Sequence, residues 1–197
     1  MPKAGEGLNA KRSANLAYWR RMTNAREVSV NYELKSISKA GIAEALAKVE
    51  LYRYLNEPEE SESICRDILA VDPTQQLALR LLGLSVTDQF SGGVSDRCQE
   101  AEELFARLTD RYEQVYYKGL LQERRAKAQL RAGQLPHAVL PLLERALHCF
   151  SEAEKIRPPG NDDAILRWNR CVRLLQTPSL AWEEQLATFE AEDAPPR

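Results

Sequence analysis

Histidine and methionine occur only twice each in this 197-residue chain, glycine nine times, and no apolar stretch approaches the roughly 20 residues that span a bilayer. The two histidines, His137 and His148, argue against a metal site: on one helix face they would stand about 16 Å apart along the axis. His148 and Cys149 are adjacent and point to different sides of a helix, which argues against a Cys/His catalytic pair. The four cysteines, Cys65, Cys98, Cys149 and Cys171, form no C-x-x-C pair and mostly fall within helical apolar patterns, which reads as buried free thiols. Glycine-rich phosphate loops, the G-x-S-x-G elbow and the H-E-x-x-H zinc signature are missing. Few β-branched runs and few glycines argue against a sheet protein. The start Met1-Pro2-Lys3-Ala4-Gly5-Glu6-Gly7 lacks the apolar run of a secretory signal, so the expected location is cytoplasmic.

What is present suits a helical domain. Hydrophobic residues make up 44% of the chain and charged residues 28%, enough for a core and a charged surface. With 27 basic and 29 acidic side chains the net charge is −2, which gives no whole-chain attraction to nucleic acid or to an anionic membrane. The charge is unevenly spread. Residues 1–35 hold seven Lys/Arg against three Glu, whereas residues 177–197 hold five Asp/Glu against one Arg. The expected organisation is a basic N-terminal segment over 1–35, a helical array over 36–176, and an acidic C-terminal helix with a loose tail over 177–197.

Apolar residues at three- and four-residue spacing predict the helices. A short one is expected from Ser13, carrying Leu16, Trp19 and Met22. The next begins near Ser38, a candidate N-cap, and runs to the turn Asn56-Glu57-Pro58. Further helices are expected over about 58–71, 74–90, 96–110 and 113–132. A seventh opens at Leu135-Pro136, where a proline costs little because that N–H is unpaired anyway, and internal Pro141 is a candidate kink. Asn161-Asp162-Asp163 is placed to cap the helix that follows, and after Pro178 a last helix carries Trp182, Leu186 and Phe189. Gly83 marks a place for close helix approach.

Three sets share one pattern, a small residue followed four positions later by a larger apolar one: Ser61-Cys65-Ile68, Ala101-Phe105-Leu108 and Ala138-Leu142-Leu143. They start 40 and 37 residues apart, a period typical of stacked helical hairpins. The stretches Ala45 to Pro73, Leu79 to Leu108 and Ala126 to Leu147 carry a resemblance to the tetratricopeptide repeat family. Among them are Tyr52 and the closing Asp72-Pro73 of the first, Leu82-Gly83 of the second, and Gly133-Gln134-Leu135 of the third. The second unit departs from the family by about six extra residues around Ser91-Gly92-Gly93 and the third by about one. The resemblance implies an all-α fold of antiparallel hairpins stacked as a superhelix, with a terminal capping helix, and a concave groove that binds a peptide or helix of a partner.

Carried onto this chain, the groove positions are Glu50 and Arg53, then Arg80, Leu81, Leu84 and Asp88, then Arg124, Lys127 and Arg131. The last three have separate support: at 100° per residue, Lys127 and Arg131 fall within roughly 60° and 20° of Arg124, making a basic stripe that Tyr117 joins. Such a stripe suits a carboxylate or an acidic peptide, and a solvated helix face gives the same pattern. The clamp by which some family members hold the C-terminus of heat-shock chaperones needs Lys and Asn where this chain has Leu46, Glu50 and Leu81, so that clamp is not expected. The polar run 161–170 reads as a junction tying the array to its terminal helix, with ligand contact as the alternative. The expected function is a non-enzymatic scaffold or adaptor without cofactor or metal. A single-stranded nucleic-acid binder is the alternative, resting on Tyr18, Trp19, Arg20, Arg21 and the Arg124 stripe.

Overall fold

The computed structural model describes residues 32–91 and 95–177, and all regular structure among them is helical. The unit that holds the helices begins at Ser36. Its elements are α1 (Ile42–Tyr54), α2 (Pro58–Val71), α3 (Gln76–Asp88), α4 (Ser95–Ala106), α5 (Arg111–Arg131), α6 (Pro136–Lys155) and α7 (Asp163–Leu175). A 3-10 turn, Lys39–Gly41, precedes α1, and Ser38 Oγ accepts the Gly41 N–H at 3.1 Å. The expected helices from Ser13 and after Pro178 lie outside the described residues, as do Tyr18, Trp19, Arg20 and Arg21.

Turn chemistry sets where the hairpins fold. Past the end of α1, Asn56 takes a left-handed conformation (φ 61°), and the Glu57 N–H returns to the Tyr52 carbonyl at 2.9 Å. Past α5, Gly133 (φ 81°) does the same while Gln134 N–H returns to Gln129 O at 3.0 Å. A left-handed residue followed by this backward bond satisfies carbonyls that a helix end would leave open. Proline then starts the following helix in both cases, Pro58 for α2 and Pro136 for α6. Helix α3 starts at Gln76 rather than Thr74. Asp72 accepts from both the N–H and the hydroxyl of Thr74 and holds it in the turn, and Gln75 Oε1 takes the Leu77 N–H at 2.7 Å. At α7 the capping oxygen belongs to Asn161, which accepts the Asp163 N–H at 2.9 Å, while Asp162 caps nothing. Pro141 lies on the exposed side of α6, and the helix runs on through it.

Each helix packs on the next, and in addition α1 touches α3, α3 touches α5, and α5 touches α7. The odd-numbered helices thus form a row bridging successive hairpins, with α2, α4 and α6 alternating on the other side. Two apolar clusters follow. One joins α1 to α4 through Val49, Cys65, Ile68, Leu79, Val86 and Phe105 and takes in Leu121 and Ala128 of α5, and the other joins α5 to α7 through Val139, Leu143, Phe150, Ala164 and Cys171. All four cysteines are free and buried.

Gly83 is where two helices meet closely: a Cβ there would stand 2.4 Å from Cε1 of Phe105. The matching contact between α5 and α6 is made by Gly119, where an added Cβ would stand 2.9 Å from both Cys149 and Phe150. The spacing pattern places the third repeat's small residue at Ala138, but Ala138 is exposed and Val139 is buried in its place, while Leu142 and Leu143 of the same pattern are buried as expected. The close approach of Gly119 to Cys149 and Phe150 sets the register of this pair. Helices α5 and α6 are also longer, at 21 and 20 residues against 13 and 14 in α1 and α2.

Candidate functional site

On the odd-numbered row, charged side chains bind each other across the hairpins. Asp88 of α3 accepts from Arg53 of α1 through Oδ2, at 3.1 Å from Nε and 2.9 Å from Nη2, and from Arg124 of α5 through Oδ1 at 2.5 Å. Arg124 Nη1 also donates to the Leu84 carbonyl at 3.0 Å and the Thr87 hydroxyl at 2.5 Å. Burial pushes the Arg124 guanidinium's pKa down and Asp88 opposes that shift. Arg80 of α3 donates to Glu113 of α5 at 2.6 Å. Farther along α5, Glu123 is fully buried; Lys127 binds one of its oxygens, and the other faces Arg167 of α7 at 3.6 Å, too long for a hydrogen bond.

The ten positions singled out by sequence therefore divide, and Leu81 is buried in the first core cluster. Arg53, Asp88, Arg80, Arg124 and Lys127 are joined to partners within the fold. Leu84 is half-buried against the first core cluster. Tyr117 does not lie free on a basic stripe: its ring stacks on Phe105 at 5.0 Å between centroids and meets Tyr116 edge-on, and burial pushes its phenol pKa up to about 12. Glu50 and Arg131 remain exposed. The stripe of three cations thus has two of its charges already matched by carboxylates, Lys127 by Glu123 of the preceding turn and Arg124 by Asp88 of the preceding odd-numbered helix.

The polar run at 161–170 is a junction between α5, α6 and α7. Tyr112 donates to Asn161 Oδ1 at 3.1 Å, Arg157 pairs with Asp162, and Arg167 reaches toward Glu123. A second charged cluster, not singled out in the sequence, joins α2 to α4. Arg97 donates to Glu62 Oε2 at 2.6 Å and to Glu100 Oε2 at 3.0 Å, and Arg66 donates to Glu62 Oε1 at 2.6 Å. The hydrogen bond from Arg97 is the largest cause that draws the Glu62 carboxyl pKa down to about 2. No local signal points to these contacts, since the partners on different helices are 34 and 35 residues apart.

Two cations without a carboxylate partner among the described residues, Arg111 and Lys118, stand beside apolar surface in a cleft of about 610 Å³ where α4 and α6 stand apart over α5. Phe105, Val115, Leu121 and Ile156 give it apolar walls, and Lys118 and His148 stand exposed at its rim. Arg111 makes one long contact, 3.4 Å to Gln114, and Lys155 pairs with Glu152 at 2.6 Å. Ile156 is 47% exposed although it lies one residue past the end of α6, so apolar surface is open to solvent there. A smaller cleft of about 400 Å³ lies between α2 and α4 over α3. Among the described residues no helix is long and apolar enough to cross a membrane. No protein-family model, curated protein or solved structure matches this chain, and the tetratricopeptide resemblance rests on the residues of the sequence alone.

Proposed function

We propose that this chain is a non-enzymatic scaffold or adaptor that holds a peptide or helix of a partner protein. One observation carries the reading: exposed apolar surface and uncommitted cations coincide in the α4–α6 cleft, whereas most charges on the odd-numbered row are used within the fold. Interfaces draw their affinity from a few apolar anchors within a polar rim, and the cleft has that composition. Lys118 and Arg111 favour a partner segment with acidic groups beside its apolar ones. Protein binding stands ahead of single-stranded nucleic acid because Arg124, counted toward a phosphate-seeking stripe, is held by Asp88.

The test is affinity capture from the native cell with three baits: the parent, Val115→Asp/Lys118→Glu in the cleft, and Glu50→Lys/Arg131→Glu on the odd-numbered row. A protein held by the parent and the last bait but lost from the cleft variant supports the reading. The opposite loss moves the site to the odd-numbered row. Reproducible turnover by the purified chain, abolished by a point substitution, overturns the non-enzymatic assignment.

A further inference from the structure

Helix α7 is the one odd-numbered helix with no even-numbered helix after it among the described residues: α1, α3 and α5 are each followed and packed by one. Its outward side carries Leu166, 62% exposed, with Arg170 and Arg173 at offsets of four and seven residues. Arg170 and Arg173 flank Leu166 at roughly 40° on one side and 20° on the other, so the three span about 60° of the helix, on the side away from buried Ala164 and Cys171. Neither arginine makes an ion pair or a side-chain hydrogen bond among the described residues, although α7 lies beside the polar junction that includes Asp162 and Arg167. An apolar residue between two unpaired guanidiniums is the surface that an acidic amphipathic helix would cover.

We propose that the chain's own segment 178–197 covers this side of α7 and supplies the second helix of a fourth hairpin. Three facts of the sequence and structure point to it. Pro58 and Pro136 open α2 and α6 four and five residues after the preceding helix ends, and Pro178 comes three residues after the end of α7 at Leu175. Beyond it, Trp182, Leu186 and Phe189 fall on one helical face, with Glu183 and Glu190 both roughly 90° to one side of it. The segment holds five acids and one arginine, opposite in sign to the α7 surface. Chain connection adds the last part: a segment tethered next to its site is present there at high effective concentration, so modest contacts suffice. The acidic segment is then held at α7 and does not compete for the cleft or the odd-numbered row.

The experiment uses the full chain carrying Trp19→Phe and Trp168→Phe, which leaves Trp182 the sole indole; Trp168 lies on the other side of α7 from Leu166. Docking predicts blue-shifted Trp182 emission with weak acrylamide quenching, independent of protein concentration. Leu166→Asp should shift the emission to the solvent-exposed value and raise quenching several-fold while circular dichroism stays helical. Arg170→Glu/Arg173→Glu should do so in part, and Glu183→Lys/Glu190→Lys added to that variant should restore the shielding. Solvent-like emission in the parent overturns the proposal, and so does shielded emission that Leu166→Asp leaves unchanged. Shielding that appears only at high protein concentration overturns it in favour of a second copy.

Discussion

Arg124 of α5 reaches back 36 residues to Asp88 of α3, Nη1 standing 2.5 Å from Oδ1, while the other carboxylate oxygen of Asp88 is held by Arg53 of α1. One carboxylate thus fastens three successive odd-numbered helices. Its partners are only 22% and 19% exposed, which sets them apart from an ordinary surface pair such as Lys48 and Glu44 at 3.9 Å.

Asp88→Asn should lower stability by about 1–2 kcal/mol, between the limits for exposed and buried pairs, because two guanidiniums lose their counter-charge together. Glu44→Gln should leave the urea midpoint unchanged. Equal effects of the two substitutions would mean that the bridge does not hold the row together.

Gly83→Ala should destabilise by about 1–3 kcal/mol despite alanine's better helix propensity, because the added methyl would overlap the buried ring of Phe105. Phe105→Leu in the same chain should recover part of the loss, since it removes the ring atoms involved. Chemical denaturation of the single and double variants measures the coupling.

Acid should act on the α2–α4 cluster. The Glu62 carboxyl titrates ordinarily at 4.5 and is drawn down to about 2 in the fold, chiefly by its hydrogen bond from Arg97. Because the folded pKa is the lower one, the stabilisation is complete above the unfolded value and disappears as pH falls from about 4.5 toward about 2. In Glu62→Gln that component of the acid-induced fall in urea midpoint should be missing, with a lower midpoint than the parent at neutral pH.

The thiols should differ in reactivity. Cys65 and Cys171 are fully buried and burial pushes both up to about 12, whereas Cys98 and Cys149 each keep 8% exposure, with Cys149 lining the cleft. Alkylation under native conditions followed by mass spectrometry should label Cys149 and Cys98 first, with Cys65 and Cys171 modified only on unfolding.

The helices were legible because their signal is local: Ile64, Cys65, Ile68 and Leu69 reveal a face of α2 without knowledge of anything it touches. Gly83 was legible for the same reason, an unusual residue inside an apolar run. Ala138 misled because a four-residue offset fits two neighbouring registers, and the choice between them was made by Gly119 and Phe150, far away in sequence. The candidate site suffered most. A sequence shows that Arg124, Lys127 and Arg131 share a face, but not that Asp88 and Glu123 neutralise two of them. The α4–α6 cleft draws its walls from three helices, none of which carries a local pattern announcing a gap beside it.

The unequal helix lengths have a consequence for how the chain comes apart. In an array whose units touch only their neighbours, unfolding spreads from the weakest end. Helix α1 buries only Val49 completely, whereas α5 and α6 bury Leu120, Val139, Leu143 and Phe150 over roughly 30 Å of shared length. Amide exchange should therefore be graded, fastest in α1 and slowest at the centre of the long hairpin, which makes the α5–α6 pair the anchor on which the rest of the array closes.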